Sequence, residues 1–302
     1  MDKVLVTVIV PTYNSSQTVI ETLESIYNQT YQDLELIVTD DSSKDDSVCI
    51  CREWIAAHDG RFMRTQLIES PVNTGISSNF NRAIKAATGI WCKLIAADDR
   101  LMPECVEKLI THAELNPSHR IIFAKVVGFG NMEAADKWPF KNVKWLFDNL
   151  SFKEMRILLT QTNFLPAASV FIKKDVFDEI GCFDETIPLL EDWPFWVKAV
   201  FHDIQLHFCD ENVAGYRFSS SSVSQFESVL SPMYLESERK SRAYARNHQY
   251  KISFLMSLFF RTLNLKYSGS YIWKFVYFFN VFNPEYYMFK RVKGKFRFFC
   301  DN

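Results

Sequence analysis

Two pairs of adjacent acidic residues stand about ninety positions apart in the chain, Asp98-Asp99 in KLIAADDRLMP and Glu191-Asp192 in LLEDWPFW. Each pair follows an apolar run. Adjacent carboxylates at the end of a buried strand are costly unless a cation or a polar ligand uses them. The pattern therefore indicates a divided site, in which one pair holds a metal and a charged leaving group while the other supplies a base.

Composition and charge set the class of protein. The chain has 302 residues, 48% of them apolar and 23% charged, which is typical of a globular protein with one large domain and an appendage, or with two domains. The net charge is only −2, but the segment from Lys251 to the end contains nine Lys or Arg and two acids among many aromatic residues. This basic, aromatic end predicts binding to something anionic.

The spacing of the cysteines and the length of the apolar runs indicate the cellular compartment of the protein. The seven cysteines form no C-x-x-C pair and no zinc-type cluster, so reduced thiols in a cytoplasmic protein are the simplest interpretation. The chain enters a strand almost at once, and no signal peptide is predicted. The apolar stretch 271–282 is about twelve residues long, short of the roughly 20 that span a bilayer.

The first half of the chain alternates predicted strands and helices. This order implies a mainly parallel, three-layer α/β sheet with right-handed crossovers, and ligands of such sheets bind beyond the carboxyl ends of the strands. Pro11–Asn14, Asp40–Ser43 and Asp98-Asp99 all fall at those ends and should converge on one edge. No GxGxxG or GxxxxGK[ST] follows a strand, which argues against a dinucleotide or Walker-type site. We predict strands at 4–10, 34–39, 65–69, 91–97 and 121–127, and helices at about 15–28, 44–57, 77–87 and from 103.

These segments resemble a known family. VTVIVPTYNSSQTVIETLESIYNQTYQDLELIVTDDSSKDDS is similar to the opening of the family 2 glycosyltransferases with the GT-A fold, and the resemblance continues through NTGISSNFNRAIKAATG, AADD, GCFDE, LLEDWPFW and YRFSSSSVS. The last two look most like bacterial enzymes that build O-antigen, capsular or lipopolysaccharide chains. The resemblance implies a GT-A catalytic domain over 1–225, with a nucleotide-sugar half (1–127) and an acceptor half (128–225), followed by a helical, basic-aromatic extension (226–302).

The resemblance also assigns the nucleotide pocket. Tyr13 would lie against the base and Asp41 would accept from a base N–H. Asn81 matches a family Asn on the helix behind the nucleotide. The alternatives are that Tyr13 packs in the core, that Asp41 caps a helix and that Asn81 is an ordinary helix-surface residue. The loop that lines the pocket comprises Pro11, Thr12, Tyr13 and Asn14.

The first acidic pair occupies the place of the family's metal motif. Asp98 would contact the ribose, and Asp99 would ligate the divalent cation, Mn²⁺ or Mg²⁺, that bridges the diphosphate. A plain helix cap would explain one of these residues but not both. Relatives often have an acid where Ala96 stands and a His where Ser219 stands. This predicts either weak metal affinity or a larger share of the diphosphate charge on Arg217.

The second acidic pair matches the catalytic base. Asp192 would take the proton of the acceptor hydroxyl, while Glu191 would contact the acceptor or orient the base at a helix N-terminus. One base and one direct displacement invert the configuration at the anomeric carbon. Trp193 would either stack on a sugar face or belong to the core.

The resulting function is an inverting glycosyltransferase that moves a sugar from a nucleotide-sugar, UDP-hexose or UDP-N-acetylhexosamine, to a hydroxyl of a lipid-linked glycan in bacterial surface polysaccharide synthesis. A nucleotidyltransferase on a related sheet is one alternative, although PTYNSSQT lacks the Gly and basic residues of its usual phosphate loop. A nucleic-acid binder is the other, although it would leave the two acidic pairs without a purpose.

The tail adds an expected partner. KRVKGKFRF (290–298) alternates cations with aromatics, as a segment that contacts an anionic membrane surface does. We therefore expect a cytoplasmic protein, peripheral at the inner face of the membrane, with no nucleic-acid partner; homo-oligomerisation stays open. The alternative is that the tail packs on the catalytic domain with a solvated basic end.

Overall fold

The computed structural model describes residues 4–133, 143–187, 189–218 and 232–249, together with 291, 292, 294 and 295. Eight strands form one sheet in the order β3-β2-β1-β4-β7-β6-β8-β5. The strands are β1 (Val6–Thr12), β2 (Leu34–Asp40), β3 (Arg64–Glu69), β4 (Trp91–Leu94), β5 (Arg100–Leu101), β6 (Ile121–Gly130), β7 (Phe171–Lys173) and β8 (Leu206–Phe218). The α-helices are α1 (Val19–Tyr27), α2 (Ser47–His58), α3 (Ile76–Ala86), α4 (Cys105–Leu115), α5 (Lys144–Asn149), α6 (Phe152–Leu159), α7 (Lys174–Ile180), α8 (Asp192–Phe201) and α9 (Pro232–Gln249).

The sheet is mostly parallel, as predicted. Strand β1 runs parallel to β2 and β4, and β2 runs parallel to β3. Strand β7 is antiparallel to both β4 and β6, β5 is antiparallel to β8, and β6 and β8 are parallel to each other. All five strands and all four helices predicted in the first half are present, with ends that differ by a few residues.

Helices cover both faces of the sheet. On β1, the side chains of Val6, Val8 and Val10 pack in the core under α1, α2 and α4, while Ile9 packs in the opposite core under α3 and α6 to α8. Side chains alternate in this way on any strand, so a β-branched run is buried on both faces. Each such side chain contributes about 1.5–3 kcal/mol when it is fully buried. The predicted three-layer arrangement is confirmed.

The C-terminal residues that the structure describes contact the domain that precedes them. Helix α9 falls within the helical extension predicted from residue 226, and it packs against α8, where the Leu189 N–H donates to Ser237 Oγ at 2.9 Å. Lys295 Nζ lies 3.1 Å from an oxygen of the buried Glu154 and donates to the Asn149 carbonyl at 2.6 Å. Arg291 also pairs with Glu154, at 3.3 Å. Both basic residues therefore contact the α/β part of the chain.

Other predictions for the tail lie outside the described residues. They comprise the apolar stretch 271–282 and most of KRVKGKFRF. Among the helices that the structure does describe, none is long and apolar enough to cross a membrane. The domain limits at 225 and 127 stay predictions.

Candidate active site

The ends of β1 and β2 are joined by hydrogen bonds at the carboxyl edge of the sheet. The Thr12 carbonyl accepts from the Asp41 N–H and from Asn79 Nδ2, both at 3.1 Å. Thr12 Oγ1 donates to Asp40 Oδ2 at 2.8 Å, and Pro11 lies opposite Thr39 in the neighbouring strand. The two segments expected to converge on this edge therefore do so.

The loop after β1 is attached to the loop after β2. Asn14 has a positive φ of 51°, its N–H donates to Ser43 Oγ at 2.8 Å, and its Oδ1 accepts from the Lys44 N–H at 2.8 Å. This geometry leaves the Tyr13 side chain 47% exposed. Tyr13 is thus outside the core, and its ring is accessible to a flat ligand at the edge of the sheet.

Asp41 is buried, and protein donors surround its carboxylate. Oδ2 accepts from the N–H groups of Thr74 and Gly75, at 2.9 and 2.7 Å. Oδ1 accepts from Thr74 Oγ1 and from Arg82 Nη2, both at 2.7 Å. Burial alone would raise the pKa of Asp41, but these hydrogen bonds outweigh it and lower the pKa. A carboxylate offers about four acceptor positions, so a base N–H must displace or share one of these donors.

Asn81 faces another part of the molecule. Its Nδ2 donates to the Phe183 carbonyl at 3.0 Å and to Glu185 Oε1 at 2.8 Å, and its Oδ1 accepts from the Phe183 N–H at 3.0 Å. The side chain therefore fastens α3 to the GCFDE turn. It is Asn79 and Arg82 on the same helix whose side chains reach the ends of β1 and β2.

The first acidic pair lies beside Arg217. The Arg217 N–H donates to Asp99 Oδ1 at 2.8 Å, and its Nε donates to the Asp98 carbonyl at 2.7 Å. Burial raises the pKa of Asp98, and it raises that of Asp99 well above the usual range, where the charge of Asp98 adds to the effect. Two carboxylates in this environment favour the arrival of positive charge.

A buried lysine lies behind this pair. Lys93 on β4 is fully buried, and its Nζ donates to the carbonyls of Leu94 and Ala168, at 2.9 and 2.6 Å. Burial lowers the pKa of Lys93 to about 8. Its charge favours the ionised form of Asp99. Nothing in the sequence patterns above pointed to this residue.

The donor set of the first pair fits a hard divalent cation. Mg²⁺ commonly takes one or two protein carboxylates and completes its shell with phosphate oxygens and water. Asp99 and Asp98 supply such oxygens, and burial, which raises the pKa of both carboxyls, means that a cation would favour their ionised forms. Within the described ranges, no group of three His, Cys, Asp or Glu side chains could hold a metal by itself. A cation here would therefore depend on the nucleotide's own oxygens.

The second acidic pair begins α8, and its two carboxyls are in different environments. Burial, followed by the charge of Asp192, raises the pKa of Glu191 to about 8. Burial also raises the pKa of Asp192, but Asn163 Nδ2 at 2.8 Å and the Trp193 N–H at 2.7 Å donate to its carboxylate. These donors favour the ionised form. With a pKa of about 8, Glu191 keeps its proton near pH 7, while the donors at Asp192 oppose the effect of burial on that carboxyl.

Trp193 belongs to the core, which is one of the two roles the sequence left open. Its side chain is 4% exposed, and its Nε1 donates to the Leu159 carbonyl at 2.7 Å. The Arg242 guanidinium lies 5.7 Å from the centre of the ring. The expected contact between Trp193 and a sugar does not fit this burial, because the ring faces are already covered.

Several residues around the two pairs were not predicted. Asn163 holds the carboxylate of Asp192, and Tyr234 on α9 is close enough to Asp192 for that charge to raise the pKa of the phenol, after burial and Glu238. The Trp196 indole N–H is buried near Asp192 without an aligned hydrogen bond. Asn163 lies within 128–225, the half of the domain that the resemblance assigns to the acceptor. Tyr234 carried no signal, because α9 lies about forty residues further along the chain.

Comparison with known proteins agrees with this arrangement. Residues 7–181 match the family model described as glycosyl transferase family 2. An uncharacterised glycosyltransferase of Methanocaldococcus jannaschii is 26% identical over 218 residues, which cover 72% of each chain. The chain spans only 31% of the length of a Rickettsia bellii glycosyltransferase to which it is 30% identical over 232 residues.

Solved structures of other proteins share this fold, and two of them are described below. S. aureus TarS 1–349 in complex with UDP-GlcNAc superposes with a TM-score of 0.61 at 18% identity, over 82% of this chain and 73% of that one. The mannosyltransferase PcManGT from Pyrobaculum calidifontis, in complex with GDP-Man and Mn²⁺, gives a TM-score of 0.54 at 16% identity, over 97% of this chain and 85% of that one. The GT-A fold is confirmed, and with the family model matching more than half of its length the chain belongs to glycosyl transferase family 2.

Proposed function

We propose that this glycosyltransferase inverts the anomeric configuration of its donor sugar, and that Asp192 is its catalytic base. The observation that carries the proposal is the difference between the two carboxyls at the start of α8. Asp192 accepts from Asn163 Nδ2 and from the Trp193 N–H, while Glu191 has a pKa of about 8. A base must be ionised near neutral pH, and the two donors at Asp192 favour its ionised form while Glu191 keeps a proton.

The chemistry is a single displacement. The Asp192 carboxylate accepts the proton of the acceptor hydroxyl as its oxygen bonds to the anomeric carbon. The bond from that carbon to the phosphate oxygen breaks, and its electron pair leaves with the nucleoside diphosphate. Asn163 orients the base throughout, and the protonated Glu191 can donate a hydrogen bond to an acceptor oxygen.

The leaving group needs charge stabilisation. Asp99, with Asp98, would hold a Mn²⁺ or Mg²⁺ ion, which would neutralise charge on the diphosphate oxygens. Arg217 adds a guanidinium whose Nε donates to the Asp98 carbonyl. We infer that Thr12, Asn14 and the exposed Tyr13 receive the nucleoside, with Asp41 reaching the base if Arg82 or Thr74 yields one acceptor position.

The finer identity of the substrates is also part of the proposal. TarS in the superposed structure holds UDP-GlcNAc, which supports a UDP-hexose or UDP-N-acetylhexosamine donor. A lipid-linked glycan acceptor in bacterial surface polysaccharide synthesis would place the enzyme at the inner face of the membrane, with residues 290–298 against the lipid. The contacts of Arg291 and Lys295 with Glu154 limit the cations that could serve there.

The test begins with a panel of sugar nucleotides, scored for slow release of nucleoside diphosphate in the absence of acceptor. With the donor identified, Asp192→Asn should lower glycosyl transfer by roughly 10²–10⁴-fold, because the amide keeps the volume but takes no proton. Donor affinity should barely change.

The matched control is Asp178→Asn, an exposed aspartate on α7 that lies away from both acidic pairs. It should transfer sugar at the wild-type rate. Near-normal transfer by the Asp192 variant would remove this residue from the role of base. A product with retained anomeric configuration would overturn the single displacement.

A further inference from the structure

Two arginines flank one aromatic ring next to the first acidic pair. The guanidinium carbons of Arg100 and Arg217 lie 4.3 and 4.5 Å from the centre of the Phe129 ring. Both side chains also reach the carboxylate of Glu21, on the first turn of α1. The arrangement brings two permanent positive charges together around one exposed acid.

The fold positions both arginines. Arg217 is fixed through its own N–H to Asp99 Oδ1 at 2.8 Å and through its Nε to the Asp98 carbonyl at 2.7 Å. Arg100 lies opposite Gly215 in the pairing of β5 with β8. A Cβ atom at Gly215 would approach Arg100 Cγ to 3.0 Å and Phe129 Cδ1 to 3.1 Å. The absence of a side chain at this position therefore lets Arg100 and Phe129 pack together.

Within this cluster two guanidiniums share the carboxylate of Glu21, and the carboxyls of Asp98 and Asp99 are further anionic neighbours of Arg217. Each guanidinium stays protonated in proteins, and two of them on one ring repel each other. Glu21 supplies one negative charge and makes the contact with Arg100 at 3.5 Å, which is long for an ion pair. The side chains of Glu21 and Arg100 are 44% and 43% exposed, so water and small ligands reach them.

The ligand that suits two guanidiniums is an oxyanion with several equivalent oxygens. Guanidinium groups bind phosphate through parallel N–H donors, and they do so better than any single carboxylate can satisfy them. The cluster also adjoins Asp99, where the proposed function places the diphosphate of the donor. A diphosphate would reach both guanidiniums from that position, whereas a nucleoside would not.

We propose that Arg100 and Arg217 form a clamp for the diphosphate of the nucleotide, and that Glu21 occupies this arginine clamp when no nucleotide is bound. The inference rests on the proposed function and extends it to Arg100 and Glu21. Glu21 competes with the diphosphate for the same guanidiniums. Its return to the clamp after transfer would help to release the nucleoside diphosphate product.

The test is calorimetric titration with UDP, with inorganic pyrophosphate and with uridine, in the presence of chelator so that no metal contributes. Arg100→Gln should weaken UDP and pyrophosphate binding about tenfold or more, since a charge-assisted hydrogen bond is lost. Glu21→Gln should strengthen both, by about threefold to tenfold, because a competing anion is removed. Uridine binding should not change in either variant.

Matched controls come from another exposed ion pair. Arg52 and Glu69 form a salt bridge at 2.5 Å on α2 and β3, so Arg52→Gln and Glu69→Gln make the same chemical changes without touching the clamp. Both should bind all three probes as the wild type does. Arg100→Lys keeps a charge but loses the planar fork, and its affinities should lie between those of the wild type and Arg100→Gln. Thermal unfolding of each variant checks that it folds.

The outcomes separate the clamp from the proposed function. If UDP binds but the Arg100 and Glu21 variants match their controls, the clamp is wrong and the donor site stands. If pyrophosphate shows the expected changes while UDP does not bind, the clamp stands and the choice of UDP is wrong. If Glu21→Gln weakens pyrophosphate binding, Glu21 supports the arginines instead of competing, and the proposal is overturned. A wild type that binds neither UDP nor pyrophosphate in chelator overturns the clamp, and the same titration with Mn²⁺ then tests the donor site separately.

Discussion

The carboxyl of Glu191 predicts an unusual dependence of stability on pH. Its pKa is about 8 in the folded protein and 4.5 in the unfolded chain. Between these values the folded protein keeps a proton that the unfolded chain has released, so the free energy of unfolding falls as pH rises. This stabilisation is complete below pH 4.5 and is lost as pH passes through about 8. Most carboxylates with a partner act in the opposite direction.

The magnitude follows from the size of the shift. A shift from 4.5 to about 8 corresponds to an upper limit of about 5 kcal/mol at 1.36 kcal/mol for each pH unit. Glu191 is only partly buried, and part of the penalty is the charge of Asp192, so we expect a loss of roughly 1–3 kcal/mol. Glu191→Gln is neutral at every pH and should not show this loss.

The assay is urea unfolding of the wild type and of Glu191→Gln at about pH 5 and about pH 8.5, with the slope of each transition checked for equality. The variant should gain stability over the wild type at the higher pH. Glu114→Gln makes the same change on an exposed face of α4 and should show no such gain. Asp192→Asn removes the neighbouring charge and should reduce the loss. An equal difference between Glu191→Gln and the wild type at both pH values would refute the assignment of the proton to Glu191.

Three further predictions concern the metal, the tail and a histidine stack. Asp99→Ala should abolish transfer and the Mn²⁺-dependent part of UDP affinity, and full wild-type activity in excess chelator would remove the metal from the reaction. The double variant Lys290→Gln with Lys293→Gln should bind anionic vesicles more weakly than the wild type, by about 1 kcal/mol for each charge removed. Lys295→Gln should mainly destabilise the fold, because it leaves the buried Glu154 without this partner. Equal vesicle binding by the wild type and all the variants would exclude a basic membrane contact. Burial, followed by the charges of His119 and His112, lowers the pKa of His207 to about 4. The free energy of unfolding should therefore fall as pH drops from 6.5 towards 4. His207→Phe should reduce this loss by roughly 1–3 kcal/mol, measured in acid unfolding curves. An unchanged acid limb would contradict the histidine prediction.

The parts of the fold that were predictable carry local periodicity. The β-branched run that forms β1 and the apolar spacing of α1 can each be recognised within a short window of sequence. Strand β7 has only three residues, and the polar residues Asp210-Glu211-Asn212 interrupt the apolar pattern of the sequence that forms β8, so neither strand was predicted. Pairing with β6, which shifts register at Lys125, defines β8 as one strand. Tertiary contacts decided these two elements.

In the candidate site, too, short sequence motifs predicted some residues, whereas contacts between residues far apart in the chain were not predicted. Asp99 and Asp192 follow from motifs and from their places at strand and helix ends. The saturation of Asp41 by Thr74, Gly75 and Arg82 could not be predicted, because those donors lie more than thirty residues away on another element. The burial of Trp193 depends on α9, which carries no motif.

The contact between α9 and α8 has a consequence for synthesis of the protein. Helix α9 leaves the ribosome about forty residues after α8, a delay of some seconds at roughly 5–20 residues per second. Until then Leu189 lacks the hydroxyl of Ser237, and the Trp193 ring lacks the cover of Arg242. Lys295, which pairs with Glu154, is made later still. The helix that carries the proposed base, Asp192, is thus completed by chain that is translated later, so we expect a nascent enzyme to meet nucleotide-sugar before it can use it.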